Sequence, residues 1–124
     1  MPTVEVVFFR EAENKTPPII EWLDGLPEKA RLKCLVRLTR LQQLGHELRR
    51  PEADYLRDGI YELRASCQGV HYRMLYFFYG RSVVVLTHGV VKEREVPAKE
   101  IDRAVRAKDA FVRDASSHTF RVVG

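Results

Sequence analysis

Cysteine is scarce in this sequence, and the two that occur, Cys34 and Cys67, form no recognisable motif. Neither has a metal-ligand spacing or a cysteine–histidine cluster near it. Isolated thiols of this kind are typical of reduced cysteines in a cytoplasmic protein, so we expect neither a structural disulfide nor a zinc site. The four histidines are His46, His71, His88 and His118. They are too dispersed for a local metal signature, and we expect no metal and no cofactor.

Long hydrophobic runs are also absent. No apolar stretch approaches the ~18 residues of a membrane span. The first residues lack the basic segment and apolar stretch of a secretory signal, so we expect a cytoplasmic protein without membrane contact. Repeats, low-complexity tracts and linkers are missing too. A chain of 124 residues is long enough for one hydrophobic core, so we predict a single domain over residues 1–124.

The common catalytic motifs are missing. The sequence contains no glycine-rich phosphate loop, no Gly-x-Ser-x-Gly elbow and no His-Glu-x-x-His pair. If the protein is an enzyme, its chemistry is therefore expected to depend on arginine, lysine and histidine without a metal ion.

Positive charge is present in excess and is unevenly distributed. The net charge is +4, yet the segment 28–50 alone contains seven basic and two acidic residues. Such a segment indicates either a nucleic-acid interface or a solvated helix face, and charge by itself does not decide between them. The candidate RNA-binding residues in this segment are Lys29, Arg31, Lys33, Arg37 and Arg40.

Hydrophobic periodicity predicts a strand at 3–9 and two helices after it. The first helix, 19–24, begins behind two prolines with Thr16 as its N-cap. The second runs from Pro27 to Leu44 and ends before Gly45. Its predicted apolar face consists of Leu32, Leu35, Leu38, Leu41 and Leu44. The two helices are expected to form a hairpin on a sheet.

The remaining elements follow from the same signals. Residues 46–58 are polar and contain Pro51, so we predict a loop. A C-terminal helix should begin at Pro97, with Phe111 and Val112 on its apolar face and Lys108 reaching out to solvent. Residues 116–124 show no confident pattern, which predicts a flexible tail.

Residues 61–92 predict a β-meander, because three runs rich in β-branched and aromatic residues are separated by Gln68-Gly69 and by residues 80–82. Arg64, Arg73 and His88 interrupt these apolar runs. An arginine inside a strand costs free energy unless a partner neutralises it, so several on neighbouring strands favour a site for a polyanion. The alternatives are a salt bridge from Arg64 to a carboxylate such as Glu62, core packing of Tyr61, and a structural role for His88.

Four short motifs occur in an order that resembles the RelE/HigB toxin superfamily, and most of all its phage-derived, HigB-like branch. They are YELR at 61–64, YRMLYF at 72–77, LTHGVVK at 86–92 and VPAKEI at 96–101. The resemblance covers residues 3–113. It implies an α+β fold with a curved, mainly antiparallel sheet, a helical hairpin packed on it and a C-terminal helix.

The resemblance also implies a function, that of a type II toxin which cleaves messenger RNA on the ribosome without a metal ion. Arg73 matches the arginine of the family's Tyr-Arg strand and would stabilise the phosphorane. Arg64 and Lys92 match basic positions that would hold phosphate, and His88 would be the general acid or base. Tyr61 and Arg94 would contact RNA. The implied partners are messenger RNA, the ribosome and a cognate helix-turn-helix antitoxin.

The sequence departs from the family at two places. Glu62 stands where some members have lysine, and the C-terminal helix lacks the tyrosine or histidine that many relatives carry for proton transfer. Two alternatives therefore remain open, a ParE-like inhibitor of DNA gyrase and a catalytically inactive RNA-binding domain.

Overall fold

The computed structural model describes residues 3–91 and 94–121, and within them a six-stranded sheet carries helices on both faces. The elements are β1 Glu5–Phe9, α1 Pro18–Asp24, α2 Glu28–Leu44, a 3-10 turn Gly45–Glu47, β2 Ala53–Arg57, β3 Ile60–Cys67, β4 Val70–Tyr79, β5 Val83–Val91, α3 Ala98–Arg113, α4 Ala115–His118 and β6 Thr119–Arg121.

The strand order is β2-β3-β4-β5-β1-β6, and only β1 and β5 run parallel among the paired strands described. The β3–β4 turn is the predicted Gln68-Gly69, with φ of 51° and 81°. Positive φ at both positions matches the right-handed twist of a tight hairpin. The predicted α+β fold and meander are therefore confirmed.

Each face of the sheet has its own core, because β4 is apolar on both sides. Met74 and Tyr76 pack beneath α1 and α2. Leu75 and Phe77 pack beneath α3, where Phe77 meets Phe111 edge-on. The chain thus buries a central strand between two helical layers.

The predicted apolar face of α2 is partly wrong. Leu32 and Leu35 are 53% and 42% exposed, whereas the helix buries Ala30, Cys34, Leu38 and Leu41. A row of leucines at a three-residue spacing drifts by about 60° per step around a helix of 3.6 residues per turn. The row therefore leaves the sheet toward its N-terminal end, where the smaller Ala30 and Cys34 make the contact.

Two predictions near the ends of helices also need correction. Thr16 does not cap α1, since the N-cap is Pro17 and no side-chain hydrogen bond is made there. In α3, Val112 is 57% exposed, although Phe111 is buried as predicted. Lys108 does reach outward, and its Nζ donates to the carbonyl of Asp58 at 3.0 Å.

Two strands lie where the sequence predicted none. The segment 46–58 contains the edge strand β2, and 116–124 contains α4 and β6, with residues 122–124 outside the described part. An edge strand has one open side and can therefore contain polar residues. Asp54 and Arg57 are such residues, and with them the segment shows no apolar alternation that would have predicted β2. β6 is only three residues long and depends on its pairing with β1.

Candidate active site

An open cleft of about 640 Å³ lies beside the end of the β3–β4 hairpin. Four arginines line it from four separate segments: Arg37 of α2, Arg64 of β3, Arg73 of β4 and Arg94 of the β5–α3 connection. Residues Pro51, Ala65, Ser66, His71, Tyr72 and Glu95 complete its wall. The sheet thus gathers cations that are far apart in sequence, which is the electrostatic arrangement that a phosphate-bearing ligand requires.

Strand pairing brings the two central arginines together. Arg64 and Arg73 are direct partners in the antiparallel register of β3 and β4. Residues directly opposite each other point to the same face with Cβ atoms about 5 Å apart. Two guanidinium groups this close would repel each other unless an anion lay between them.

Glu62 supplies that anion. Only 2% of its surface is exposed, and its two oxygens are shared between the arginines. Oε1 accepts from Nη1 of Arg73 and Oε2 accepts from Nη2 of Arg64, each at 3.0 Å. A carboxylate is tolerated in the interior only with such partners. The salt-bridge alternative for Arg64 is therefore what the structure shows, and it fixes both guanidinium groups at the cleft.

A second layer of charge surrounds this centre. Asp54 accepts from Nη2 of Arg64 at 3.3 Å and from Nε of Arg50 at 2.8 Å. The hydrogen bond from Arg50 is the main cause that lowers the pKa of the Asp54 carboxyl. On the other side, Nε of Arg37 donates to the carbonyl of Arg64 at 2.9 Å. The backbone of β3 is thereby tied to α2.

Three of the basic residues of α2 lie beside the cleft. Arg37 and Arg40 pair with Glu52, which accepts two hydrogen bonds from Arg40 at 3.0 Å and lies 3.2 Å from Arg37. Lys33 and Arg37 line a shallow depression with Ala65 and Ser66, next to the cleft. This edge of α2 is therefore cationic where it borders the arginines.

The two remaining predicted cations of α2 lie on different sides of the helix. Lys29 is one turn before Lys33 and lies on the same stripe. Arg31 is rotated about 200° from Lys29 at 3.6 residues per turn. It lies across the buried residues of α2 from the cleft, so the helix does not bring it to the other four.

His88 does not line the cleft. It is 2% exposed beneath α3, where Nε2 lies 3.0 Å from Oε1 of Glu100 and Nδ1 lies 3.1 Å from Oγ1 of Thr87. Burial lowers its pKa to about 4, Arg103 acts in the same direction, and Glu100 opposes both. The imidazole is consequently neutral near pH 7, and its contacts are those of a structural histidine. Lys92 falls outside the described residues.

His71 is a cleft residue that the sequence reasoning did not select. It is exposed, and its Nδ1 lies 3.1 Å from Oγ of Ser66, its partner across the hairpin. The available signal was strand alternation, which places His71 on the same face as Arg73 two residues later. The cleft therefore contains an accessible imidazole beside its arginines.

Tyr61 lies in a different place from the arginines. It lines a second cleft, of about 520 Å³, together with His46, Arg49, Arg50 and Tyr55. Its ring stacks on Tyr76 with centroids 5.3 Å apart and meets Tyr55 edge-on at 5.0 Å. Tyr61 therefore packs on one side and faces solvent on the other.

The described residues contain neither a membrane-spanning helix nor a cluster of metal ligands. In the ranges 3–91 and 94–121, no helix has the length and apolarity needed to cross a membrane. The same residues contain no group of three or more His, Cys, Asp or Glu side chains placed to hold a metal ion.

Comparison with known proteins gives two findings. Residues 21–109 match the family model described as phage-derived protein Gp49-like (DUF891). The chain is also 30% identical over 106 residues to two proteins named "Probable endoribonuclease HigB1", from Mycobacterium tuberculosis strains CDC 1551 / Oshkosh and ATCC 25618 / H37Rv. The match covers 86% of this chain and 83% of each relative. The chain therefore belongs to the phage-derived, Gp49-like family of RelE/HigB-type toxins.

Proposed function

We propose that this chain is the toxin of a type II toxin–antitoxin pair and that it cleaves messenger RNA on the ribosome without a metal ion. The observation that carries the proposal is the pair Arg64 and Arg73, held side by side by the buried Glu62 at the edge of an open basic cleft. The name of the relatives, probable endoribonuclease, supports the same reaction class.

The proposed chemistry is attack of a ribose 2′-hydroxyl on the adjacent phosphate. The 2′-oxygen bonds to phosphorus and loses its proton. The bond to the 5′-oxygen then breaks, and that oxygen takes up a proton. The products are a 2′,3′-cyclic phosphate and a 5′-hydroxyl. Negative charge rises on the phosphorane, and a guanidinium offers two parallel donors to its oxygens. Arg73 is proposed to make this contact, with Arg64 beside it.

Two protons must move, and the cleft contains one exposed imidazole. We propose His71 for one transfer, because it lines the same cleft as Arg73 and its Nδ1 lies within hydrogen-bond distance of Oγ of Ser66. A general base or acid has to reach the reacting oxygen, which a buried side chain does only after a rearrangement. The burial of His88 therefore favours a structural role, and its role in proton transfer, like that of Lys92, stays a prediction.

The RNA is proposed to lie along the cationic edge that α2 and the cleft share. Lys29, Lys33, Arg37, Arg40 and Arg94 would contact its phosphates. Part of the charge of Arg37 and Arg40 is already neutralised by Glu52, so Lys29 and Lys33 should contribute more per residue to counterion release.

The partner is proposed to be a helix-turn-helix antitoxin with an acidic surface, which would cover the arginine cleft or displace α3. Opposite charges would speed this association. Such a pair would act in the cytoplasm, where ribosomes are translating.

The test is incubation of the purified chain with programmed ribosomes, in the magnesium buffer that ribosomes require, and, separately, with the same messenger RNA alone in EDTA. We expect cleavage on ribosomes, with 2′,3′-cyclic phosphate and 5′-hydroxyl ends. Arg73→Met should lose this cleavage. Arg81→Met is its matched control, because Arg81 is an exposed arginine in the β4–β5 turn, and this variant should cleave like the wild type.

Three results would contradict the proposal. Intact RNA in both reactions would exclude the nuclease. Products with a 5′-phosphate and a 3′-hydroxyl would contradict the metal-free reaction, because they require attack by water and not by the ribose 2′-hydroxyl. Inhibition of gyrase with intact RNA would favour the ParE-like alternative.

A further inference from the structure

The second cleft combines aromatic rings with cations on the edge of the sheet. Tyr55, Tyr61 and Tyr76 are register partners on β2, β3 and β4, and they form a ladder of rings across three strands. Tyr76 is 1% exposed and Tyr61 is half-buried, whereas Tyr55 is 53% exposed. The ladder therefore ends in an aromatic surface that faces solvent.

The exposed end of this ladder is held in place. The hydroxyl of Tyr55 accepts a hydrogen bond from the backbone N–H of Gly59 at 3.1 Å. Gly59 has a φ of +82°, which a residue with a side chain rarely adopts, so the turn itself provides this donor. A ring fixed at both ends loses little conformational entropy when a flat ligand stacks on it.

A second ring, that of His46, lines the same cleft. His46 is exposed, and its ring stacks on Phe78 with centroids 3.6 Å apart. Arg49 and Arg50, both exposed, lie between His46 and Tyr55 along the chain and line the same cleft. Planar aromatic surfaces with cations beside them are the combination that binds unpaired bases and their phosphates.

The two clefts are neighbours. Pro51 lines the first and Arg50, the preceding residue, lines the second. Asp54 connects them, since it pairs with Arg64 at the first cleft and with Arg50 at the second. A single extended strand in the first cleft can therefore reach the second across the β2 edge of the sheet.

We propose that the second cleft binds an unpaired nucleobase of the RNA strand whose scissile phosphate occupies the arginine cleft, by stacking on Tyr55 and contact with His46. This inference rests on the proposed function for its ligand. The site is sequence-tolerant, because every base has an aromatic face. With this site, the length of RNA that contacts the protein extends beyond the nucleotides at which cleavage occurs.

The test compares Tyr55→Ala with Tyr79→Ala. Tyr79 is a fair control because it is 40% exposed on β4 and packs on Phe111, away from both clefts. The probe is a single-stranded decamer with 2′-O-methyl riboses, which cannot be cleaved, and with 2-aminopurine at successive positions. Wild-type protein should quench one position by stacking. Tyr55→Ala should lose the quench and weaken binding about tenfold, the size of one base–aromatic stack, while Tyr79→Ala should match the wild type.

A base-free probe separates stacking from charge. Polyphosphate of similar length should bind Tyr55→Ala as it binds the wild type. If Tyr55→Ala also bound polyphosphate more weakly than the wild type does, the proposal would be overturned, because the cleft would then recognise phosphate alone. An unchanged decamer affinity for Tyr55→Ala, or an equal loss for Tyr79→Ala, would overturn it too.

Cleavage assays distinguish this inference from the nuclease itself. On programmed ribosomes, wild-type protein should cleave a messenger RNA that extends past the scissile phosphate with a higher kcat/KM than one truncated next to it, and Tyr55→Ala should lose most of that preference through KM. A preference that survives in Tyr55→Ala would contradict the second site and leave the nuclease intact. If the wild type cleaves neither messenger RNA on ribosomes, the proposed function fails, and the 2-aminopurine binding still decides whether bases stack in the cleft.

Discussion

Replacement of Glu62 by glutamine tests whether the buried carboxylate holds the two central arginines. Glutamine has nearly the same shape as glutamate, and it keeps one acceptor oxygen. The other oxygen becomes an NH₂ group, which cannot accept a hydrogen bond. One guanidinium therefore loses its charged acceptor at 3.0 Å and faces a donor instead.

The size of the effect follows from burial. The side chain of Arg73 is 13% exposed and that of Arg64 is 34% exposed, and Arg64 also has Asp54 as a second acceptor. Most of the cost should therefore come from Arg73. A hydrogen bond to a charged group contributes about 1.5–3 kcal/mol, and removal of one partner of a buried ion pair costs about 3–5 kcal/mol. We expect Glu62→Gln to lower the free energy of unfolding by about 2–4 kcal/mol, a fall in Tm on the order of 10 °C.

The assay is urea unfolding followed by circular dichroism. Glu5→Gln is the matched control, because Glu5 pairs with Arg121 on the surface, with side chains 48% and 68% exposed. An exposed pair contributes about 0–1 kcal/mol, so this variant should unfold close to the wild type.

The double variant Glu62→Gln/Arg73→Met removes both members of the main pair and should cost less than the sum of the single changes. Either of two results would refute the reasoning. One is a Glu62→Gln protein within about 0.5 kcal/mol of the wild type, the range of an ordinary surface substitution. The other is strict additivity in the cycle.

Three further predictions follow from other parts of the molecule. Gly89→Ala should destabilise the fold by at least about 2 kcal/mol, because its Cβ would overlap the ring of Trp22. Fluorescence of Trp22, the sole tryptophan, should report the displaced ring. An unperturbed spectrum and an unchanged urea midpoint would contradict this packing. His88 should make the fold acid-sensitive. Its pKa is lowered from 6.5 to about 4 by burial and by Arg103, while Glu100 acts in the opposite direction. Because the unfolded chain binds the proton first, the free energy of unfolding should fall as pH drops from 6.5 toward 4. His88→Gln should flatten that part of the pH profile, and an unaltered profile would assign the acid sensitivity to other groups. Neutralising Lys29 and Lys33 together should reduce the salt dependence of ribosome binding by about two units of slope, whereas Arg31→Gln, on the far side of α2, should change it less; equal effects would mean that the stripe beside the cleft has no special role.

Local signals in the sequence predicted much of the fold. The β-meander followed from alternation and from the Gln68-Gly69 turn, and α3 followed from its proline start and helical period. The edge strands β2 and β6 could not be predicted in this way. Each is short or polar, and each exists because a neighbouring strand offers its backbone groups. That is a tertiary effect with no local signature.

The sequence likewise predicted part of the candidate site, namely its two central arginines. Arg64 and Arg73 stood out because charge inside an apolar strand requires an explanation, and the structure brings them together. The burial of His88 depends on how α3 covers β5, which alternation does not reveal. The separation of Tyr61 from the arginines depends on which face of β3 each residue occupies. The position of His71 in the cleft could not be predicted without knowing which end of the hairpin is open.

The central claim is that Arg73 stabilises the transition state of RNA cleavage in a metal-free cleft. Single-turnover cleavage on programmed ribosomes, with wild type, Arg73→Lys and Arg73→Met each verified as folded and with the 2′,3′-cyclic phosphate ends identified, tests it most directly. We expect a loss of at least about 100-fold for Arg73→Met and little recovery with lysine, which lacks the planar fork of donors. A folded Arg73→Met protein that cleaves at the wild-type rate would contradict it.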